Sequence, residues 1–405
     1  MKSICILGRQ PALGLAELES LYGTETVSLV APNVAALELE AKDINFPRLG
    51  GSTRLARVLA EIPGSDWKSV EKYLAKTVPE HLQYVPEGKL QLGLSAFGFD
   101  ISPAKLTATG LTLKKIIRAA GRSVRLVPNN ELELNTAQVL HNHLTGKTGW
   151  ELLLVRQKDT TILAQTYAVQ DIDSYTLRDR GRPKRDARVG MLPPKLAQII
   201  INLATSDTNP LYGSIVLDPF CGTGVVLQEA TWMGFDVYGS DLDPRMVQYT
   251  DENLMWFLEQ PGCPVEDIRA SQPPDWRYFS LEEGDATTHQ WSPRPNIVAC
   301  ETYLGRTYTA QPERGNLSQN ITDVNTILTK FLRNVHPQLA PGSRLCLAVP
   351  AWQTKPNTFR HLPLVDQISD LGYNRVEFER VRNDELIYYR SDQIVARQLL
   401  VLTRK

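Results

Sequence analysis

The sequence is short of the features that mark membrane, secreted and metal-binding proteins. No apolar run approaches the roughly 20 residues that a membrane-spanning helix needs. The N-terminus is apolar only over residues 3–7 and then meets Arg9 and Pro11, which does not fit a signal peptide. The 5 cysteines are scattered, without the spacing of a zinc site or a disulfide framework. We therefore expect a cytoplasmic protein with reduced thiols and no metal.

A strong net charge and a biased composition are also absent. The 405 residues carry 44 Lys and Arg against 45 Asp and Glu, and no internal repeat is apparent. The near-neutral total conceals a basic middle. Residues 101–195 hold 16 Lys and Arg against 8 Asp and Glu, a balance of +8, which leaves −9 for the remainder. This excess favours a surface for a polyanion, with a solvated charged face as the alternative.

The clearest motif in the chain is Asp218-Pro-Phe-Cys-Gly-Thr-Gly224. It follows an apolar run and precedes a helical segment, a pattern that predicts a strand, a tight glycine loop and a helix. The next predicted strand ends in Asp241, about twenty residues later, where an acid can bind ribose hydroxyls. The loop opens with an acid, which repels a pyrophosphate and attracts a cationic ligand. It therefore predicts S-adenosylmethionine rather than NAD as the cofactor.

The length and the order of predicted elements indicate several domains. From residue 191 onward strands alternate with helices, which predicts an α/β fold with a parallel sheet. Its last two predicted strands, at 375–381 and 394–402, have no helix between them and predict an antiparallel edge hairpin. A helix is expected to begin at 54–59. The predicted segments are an N-terminal α/β domain at 1–60, an α+β domain at 61–168, a basic linker at 169–190 and an α/β domain at 191–405.

Polar residues stand at four predicted strand ends of the last domain. Ligands of open α/β sheets bind beyond the carboxyl ends of the strands. The four ends are the Asp218 loop, Asp241, Asp285 and the segment Cys300-Glu301-Thr302-Tyr303. Each is by itself equally a cap or turn residue. Their placement at successive strand ends predicts a ligand site.

These residues resemble a known family. The last domain is similar to class I S-adenosylmethionine-dependent methyltransferases, and the whole chain resembles the THUMP-domain tRNA guanine-N2-methyltransferases of the guanosine-10 type. The resemblance rests on the Asp218–Gly224 motif, Gly190-Met-Leu-Pro-Pro-Lys-Leu-Ala197, Asp241 and Asp285, and more loosely on Ile6-Leu-Gly-Arg9, Leu94-Ser95 and Asn135-Thr-Ala137. It implies a Rossmann-like methyltransferase domain and a THUMP-like RNA-binding domain at 61–168.

The resemblance also implies site residues. Those for the cofactor are Asp218, Phe220, Cys221, Gly222, Thr223, Gly224, Asp241, Leu242, Asp285 and Ala286. Eight basic residues are predicted to meet RNA phosphates: Lys114, Lys115, Arg118, Arg122, Arg182, Lys184, Arg185 and Arg188. We expect a monomer that binds tRNA and no membrane. The residues do not tell whether a small activating partner protein takes part.

The catalytic loop departs from the family pattern, in which the fourth strand ends in Asp or Asn followed by Pro-Pro and an aromatic residue. Here Glu301 can accept hydrogens from a base amine, and Tyr303 can stack on the base. Three hypotheses stay open. We favour an active tRNA guanine-N2-methyltransferase over a catalytically impaired tRNA-binding protein that retains the cofactor pocket, and over a DNA amine methyltransferase.

Overall fold

The chain forms two compact units, which are described one at a time. Unit 1 contains Met1–Pro11, Glu25–Pro47 and Ser52–Ile172, and unit 2 contains Ala12–Thr24, Arg48–Gly51 and Asp173–Lys405. The computed structural model describes residues 1–186, 192–205, 214–260, 263, 279–306, 308, 313–355, 357–390 and 393–405. Its α-helices are α1 (Pro11–Tyr22), α2 (Trp67–His81), α3 (Pro103–Ala119), α4 (Thr136–His141), α5 (Ile172–Arg180), α6 (Pro194–Thr205), α7 (Val225–Trp232), α8 (Pro244–Leu258) and α9 (Arg314–Val335).

Unit 1 is built on one eight-stranded sheet. Its strands are β1 (Ser3–Leu7), β2 (Val27–Ala31), β3 (Val34–Leu37), β4 (Ser52–Pro63), β5 (Leu90–Phe97), β6 (Val124–Leu126), β7 (Gly149–Arg156) and β8 (Thr160–Val169). They lie in the order β2-β3-β1-β4-β8-β7-β5-β6, in which only the pairs β7–β5 and β5–β6 are parallel. Strands β7 and β8 form an antiparallel hairpin.

Strand β4 corrects two predictions made from the sequence. The helix expected at residues 54–59 is wrong, because this segment is an inner strand hydrogen-bonded to β1 on one side and β8 on the other. Long-range pairing here overrides local helix propensity. The boundary placed between residues 60 and 61 falls inside β4, so the predicted first and second domains share one sheet. Helix α1, from Ala12 onward, belongs to unit 2, where Leu13 and Ala16 join its core.

A buried ion pair ties the middle of the unit 1 sheet together. Nη1 of Arg54 lies 2.6 Å from Oε1 of Glu151, and both side chains are buried. The hydroxyls of Ser95 and Thr166 donate to the same carboxylate, at 2.7 and 2.6 Å. These donors offset the cost of removing the charges from water. The interior of this sheet is therefore partly polar.

Unit 2 contains a nine-stranded sheet. Its strands are β9 (Ile215–Asp218), β10 (Asp236–Asp241), β11 (Phe279–Glu283), β12 (Ile297–Glu301), β13 (Arg344–Lys355), β14 (Thr358–Arg360), β15 (Tyr373–Arg375), β16 (Ile387–Tyr388) and β17 (Val395–Arg404). The order is β11-β10-β9-β12-β13-β17-β15, with the first five strands parallel. The chain order reverses between β9 and β12, which makes the switch point where open α/β sheets bind ligands.

The predicted edge hairpin is present in altered form. Strand β17 is antiparallel to both neighbours, as expected, but it lies inside the sheet between β13 and β15. Its partner β15 ends at Arg375 instead of continuing to 381. Beyond that point the backbone N–H groups of Glu379 and Arg380 donate to the Glu19 carboxylate, at 2.7 and 3.0 Å. These bonds replace a ladder with β17.

From Asp173 onward, the described part of the segment predicted as a linker is an ordered part of unit 2. Residues 172–180 form α5, although their sequence has no apolar period. Arg178 of this helix is buried, with its Nε 2.8 Å from Oε1 of Glu229, and its guanidinium lies 4.6 Å from the centroid of the Trp232 ring. This anchor, rather than an apolar stripe, holds the helix. Residues 187–190 lie outside the described part of the chain.

Candidate active site

A cavity of about 1220 Å³ opens at the carboxyl ends of β9, β10 and β12 in unit 2. Among the residues that line it are all the predicted cofactor residues except Gly224, together with Glu301 and Tyr303. The parallel strands explain this convergence, because their carboxyl ends meet at one edge of the sheet. Across the described ranges no group of three or more His, Cys, Asp or Glu side chains could hold a metal ion. In the same ranges no helix is both long enough and apolar enough to cross a membrane.

The glycine loop turns β9 into α7. Gly222 and Gly224 have φ angles of 54° and 82°, in the left-handed region that glycine adopts without strain. Gly224 lies at the start of α7, behind the cavity wall, and a Cβ there would meet Thr250 Cγ2 at 2.9 Å. Thr250 Oγ1 also donates to the Gly222 carbonyl at 2.9 Å. The glycines thus serve both the turn and its contact with α8.

Two residues of the predicted basic linker, Arg182 and Lys184, help to hold the glycine loop in place. Arg182 Nη1 lies 3.3 Å from Thr223 Oγ1, and Asn253 Nδ2 donates to the Thr223 carbonyl at 2.8 Å. Asn253 also exchanges two hydrogen bonds of 2.9 Å with the backbone of Lys184. Arg182 is 4% exposed, and burial lowers the pKa of its guanidinium. This burial contradicts the prediction that Arg182 meets RNA phosphates.

Two acids, the buried Asp218 and the half-buried Asp241, give the inner cavity its chemical character. Asp218 accepts from the Phe220 N–H at 3.0 Å, and Asp241 accepts from the N–H groups of Gly222 and Asp243, at 2.9 and 3.0 Å. Burial raises the pKa of Asp218 well above its usual range, and the charges of Asp241 and Glu301 add to the shift. Burial likewise raises the pKa of Asp241. A cationic ligand relieves this repulsion, so the cavity favours one.

The acid at the third strand end, Asp285, differs from these two in both its exposure and its pKa. Asp285 is exposed, and its Oδ1 accepts from Thr287 N and Oγ1, at 2.9 and 2.7 Å. These bonds hold the pKa of Asp285 below its usual value. Leu242, which also lines the cavity, is 70% exposed. An exposed leucine near a carboxylate suits a flat ligand with a polar edge.

Two of the predicted cofactor residues also pack into the protein. The ring of Phe220 makes an edge contact with Phe331, with centroids 5.2 Å apart. The Cys221 side chain is buried and lies 3.6 Å from Thr250 Oγ1, and burial raises the pKa of its thiol well above the usual value. Both side chains therefore shape the loop as well as line the cavity.

At the fourth strand end, the structure shows which residues of the segment 300–303 face the core and which face the cavity. Cys300 is fully buried in the core with Val298 and residues of α9, while Glu301 is the last residue of β12 and lines the cavity. Thr302 N and Oγ1 both lie within 3.2 Å of the Ala348 carbonyl on β13, which fastens the loop. Tyr303 follows with 44% of its surface exposed. Glu301 is thus the carboxylate that this strand end presents to the cavity, with an aromatic ring two residues later.

Arg397 was not found from the sequence. Its Nε lies 2.7 Å from Oε1 of Glu301, and the two side chains are 8% and 14% exposed. Because β17 runs against β13, its beginning lies at the carboxyl ends of the parallel strands. The one available signal was an arginine within the apolar run of β17. Further polar cavity residues that sequence reasoning missed are Arg306, Lys330, Arg390 and Gln393.

The structure divides the predicted RNA-binding residues between the two units. Lys114, Lys115 and Arg118 lie on α3 of unit 1, with Lys115 and Arg118 exposed, and Arg122 donates to the Pro86 carbonyl. In unit 2, Lys184 Nζ is 3.1 Å from Glu252, and Arg185 is exposed. Arg188 lies outside the described residues. Together with the burial of Arg182, this leaves α3 as the clearest cationic surface.

Comparison with known proteins finds relatives of part of the chain. A family model described as DNA methylase matches residues 147–252. The tRNA (guanine(10)-N2)-dimethyltransferases of Methanothermobacter thermautotrophicus and Pyrococcus abyssi are 29% and 39% identical over 161 and 163 residues, 40% of this chain in both cases. Over this part the chain is similar to tRNA (guanine(10)-N2)-dimethyltransferases. The matched part spans only 39% of the length of each of these relatives.

A solved structure extends the likeness to the whole chain. The crystal structure of TrmN from Thermus thermophilus superimposes with a TM-score of 0.51 at 16% identity, and the match covers 100% of both chains. At this identity the match bears on the fold. Together with the sheet order of unit 2, it confirms the predicted class I methyltransferase fold.

Proposed function

We propose that the protein transfers a methyl group from S-adenosylmethionine to the exocyclic N2 of a guanosine in tRNA. The observation that carries this proposal is that one cavity is lined by an acid pair suited to a cationic nucleoside and also by an acceptor and an exposed aromatic ring. Asp218 and Asp241 form the first part, and Glu301 and Tyr303 the second. The names of the relatives from two archaea agree with the substrate.

The residues present fit the proposed cofactor. Asp218 would bind the cationic methionine part, Asp241 the ribose hydroxyls and Asp285 the adenine amine, while Leu242 and Phe220 supply apolar surface. Asp218 is the strongest support, because its pKa is raised by burial and by two neighbouring acids, a cost that a bound ammonium group offsets. When bound, the cofactor supplies a methyl group already activated by its sulfonium. The protein therefore has mainly to align the acceptor.

The fourth strand end would perform that alignment. A guanine amine donates its lone pair into the ring and is a poor nucleophile. Glu301 would accept one amine hydrogen and turn the nitrogen toward the methyl group, while Tyr303 stacks on the base. The bonds from Thr302 to Ala348 keep this loop in place. Reaching Tyr303 requires the base to leave its stack.

Unit 1 would supply the grip on tRNA, as a THUMP-like domain. The exposed basic residues of α3 suit phosphate contacts, and Arg185 in unit 2 adds a further cation. We propose a cytoplasmic monomer, in which the five buried cysteines stay reduced. Whether a small activating partner protein takes part is decided by whether the purified chain turns over alone.

The decisive experiment is nucleoside analysis. The full chain is incubated with unmodified tRNA transcripts and labelled S-adenosylmethionine, and the digested RNA is examined by mass spectrometry. We expect N2-methylated guanosine, whose mono- or dimethylated form the same spectra report. Duplex DNA is tested in parallel, because the matching family model is described as a DNA methylase. Absence of new methylguanosine on every tRNA, with binding intact, would instead favour an impaired tRNA-binding protein.

A further inference from the structure

One guanidinium holds two side chains of the cavity. Arg397 Nε donates to Glu301 Oε1 at 2.7 Å, and its Nη1 donates to Gln393 Oε1 at 3.2 Å. The Arg397 and Glu301 side chains are nearly buried. The guanidinium is planar and rigid, so it fixes the direction of both partners. Glu301 is therefore a positioned group and not a freely rotating one.

Each partner keeps one polar atom for a ligand. Within the described residues, Glu301 Oε2 accepts no hydrogen bond and Gln393 Nε2 donates none. Because Arg397 offers only donors, the amide oxygen of Gln393 must face it, and the amide nitrogen is left as a donor. Both residues line the cavity, as does Tyr303. The site thus presents an anionic acceptor and a neutral donor to whatever lies against Tyr303.

The edges of the bases differ in what they offer a carboxylate. Guanine presents N1–H and N2–H as adjacent donors. Adenine and cytosine place an acceptor ring nitrogen beside their exocyclic amine, where it would face a carboxylate lone pair. We infer that Glu301, positioned by Arg397, is the specificity-determining residue of the site and selects guanine by accepting hydrogen bonds from N1–H and N2–H together. This inference rests on the proposed function.

A base analogue separates the two donors. The target guanosine of the tRNA is replaced by 2-aminopurine riboside, which keeps the exocyclic 2-amino group but has an acceptor at N1. We expect the wild-type protein to methylate guanosine at least about 100-fold faster than 2-aminopurine, as measured by kcat/KM, because the carboxylate cannot pair with N1. In Glu301→Gln the amide offers a donor and an acceptor, which match 2-aminopurine. The guanosine preference should fall by about 100-fold in this variant.

The guanosine preference is the ratio of the two kcat/KM values measured on the same protein. A partial loss of folded enzyme lowers both values equally and leaves the ratio unchanged. Arg397→Lys is the matched control for positioning. It keeps the charge beside Glu301 but not the planar fork, so kcat should fall while the guanosine preference is retained. An unchanged preference in Glu301→Gln, or equal rates on the two RNAs in the wild type, would overturn the inference.

Failure of the proposed function can be distinguished from failure of this inference, because it would abolish methylation of both RNAs. If the wild type methylates neither RNA, competition binding of the two tRNAs still tests the inference without turnover. A guanosine preference in binding that disappears in Glu301→Gln supports it, and equal affinities in the wild type overturn it.

Discussion

Nε of Arg397 lies 2.7 Å from Oε1 of Glu301, and the two residues come from strands that run in opposite directions. Glu301 ends the parallel strand β12, whereas Arg397 lies near the beginning of the antiparallel strand β17. This pairing gives the atypical strand end a fixed carboxylate in place of the family's shorter acid or amide followed by prolines. It also places a cation beside one of the acids that line the cavity.

Removal of the Glu301 carboxylate should stop methyl transfer without removing the cofactor. We expect Glu301→Ala to lower kcat by about 100-fold or more, since the amine loses its hydrogen-bond acceptor in the transition state. Cofactor affinity measured by calorimetry should change less than about threefold, because Asp218 and Asp241 are untouched. The exposed Glu259→Ala serves as the control. Full activity in Glu301→Ala would remove this residue from the mechanism.

The ion pair between Arg397 and Glu301 should also contribute to the free energy of unfolding. Breaking a nearly buried ion pair from one side leaves an unpaired charge, so Arg397→Ala and Glu301→Ala should each lower the free energy of unfolding by about 3 kcal/mol. The double variant should lose clearly less than the sum of the two. Urea unfolding of all four proteins measures this coupling. Additive losses would mean that the two side chains do not stabilise each other.

Cofactor binding should strengthen as the pH rises. In the free protein Asp218 holds its proton to a higher pH than usual, and a cationic ligand favours the ionised form, so binding releases a proton. Affinity should therefore increase from pH 5 toward pH 8, and Asp218→Asn should weaken binding and flatten this dependence. Asp285→Asn is the matched control, because the pKa of Asp285 lies below its usual value. The same pH slope in Asp218→Asn as in the wild type would contradict the assignment.

Exposed and buried basic residues should affect different ligands. Lys115→Ala with Arg118→Ala should weaken tRNA binding and make it less dependent on salt, since each lost phosphate contact lowers the slope of log K against log salt by about 0.7–0.9. Arg182→Ala should leave that slope unchanged and lower cofactor affinity, because Arg182 contacts Thr223 of the glycine loop. Filter binding across a salt series and calorimetry provide the two readouts. A reduced salt slope in Arg182→Ala would return this residue to the RNA surface.

A buried acid in unit 2 should make stability depend on pH. Burial raises the pKa of Glu17 to about 7, although Gly50 N, Gly51 N and Asn202 Nδ2 all donate to its carboxylate. The folded protein therefore holds the proton more tightly than the unfolded chain. Its contribution is complete below pH 4.5 and is lost as the pH rises through 7, on the order of 3 kcal/mol in total.

Glu17→Gln tests this linkage. The variant cannot accept all three hydrogen bonds and should be less stable at every pH, but its difference from the wild type should shrink as the pH rises from 4.5 to 8. Urea midpoints across this range measure the difference, in which other titrating groups cancel. A constant difference would place the Glu17 pKa near its ordinary value.

The class I methyltransferase fold and most of the cavity could be predicted from the sequence because they depend on local patterns. The Asp218–Gly224 loop needs left-handed glycines between a strand and a helix. Asp241 and Glu301 each end a strand of the parallel sheet, and Asp285 follows the end of β11 by two residues. Once strands and helices alternate, the sheet brings these ends to one edge. Spacing therefore identified these acids as residues of one site.

Tertiary structure decided what depends on distant pairing. The insertion of β17 between β13 and β15 placed Arg397 against Glu301, about a hundred residues earlier in the chain. Pairing of β4 with β1 and β8 turned an expected helix into an inner strand and merged two expected domains. Burial beside Thr223 turned Arg182 from an expected phosphate contact into a brace for the cofactor loop. None of these follows from local spacing, because each is set by which strands and loops become neighbours after folding.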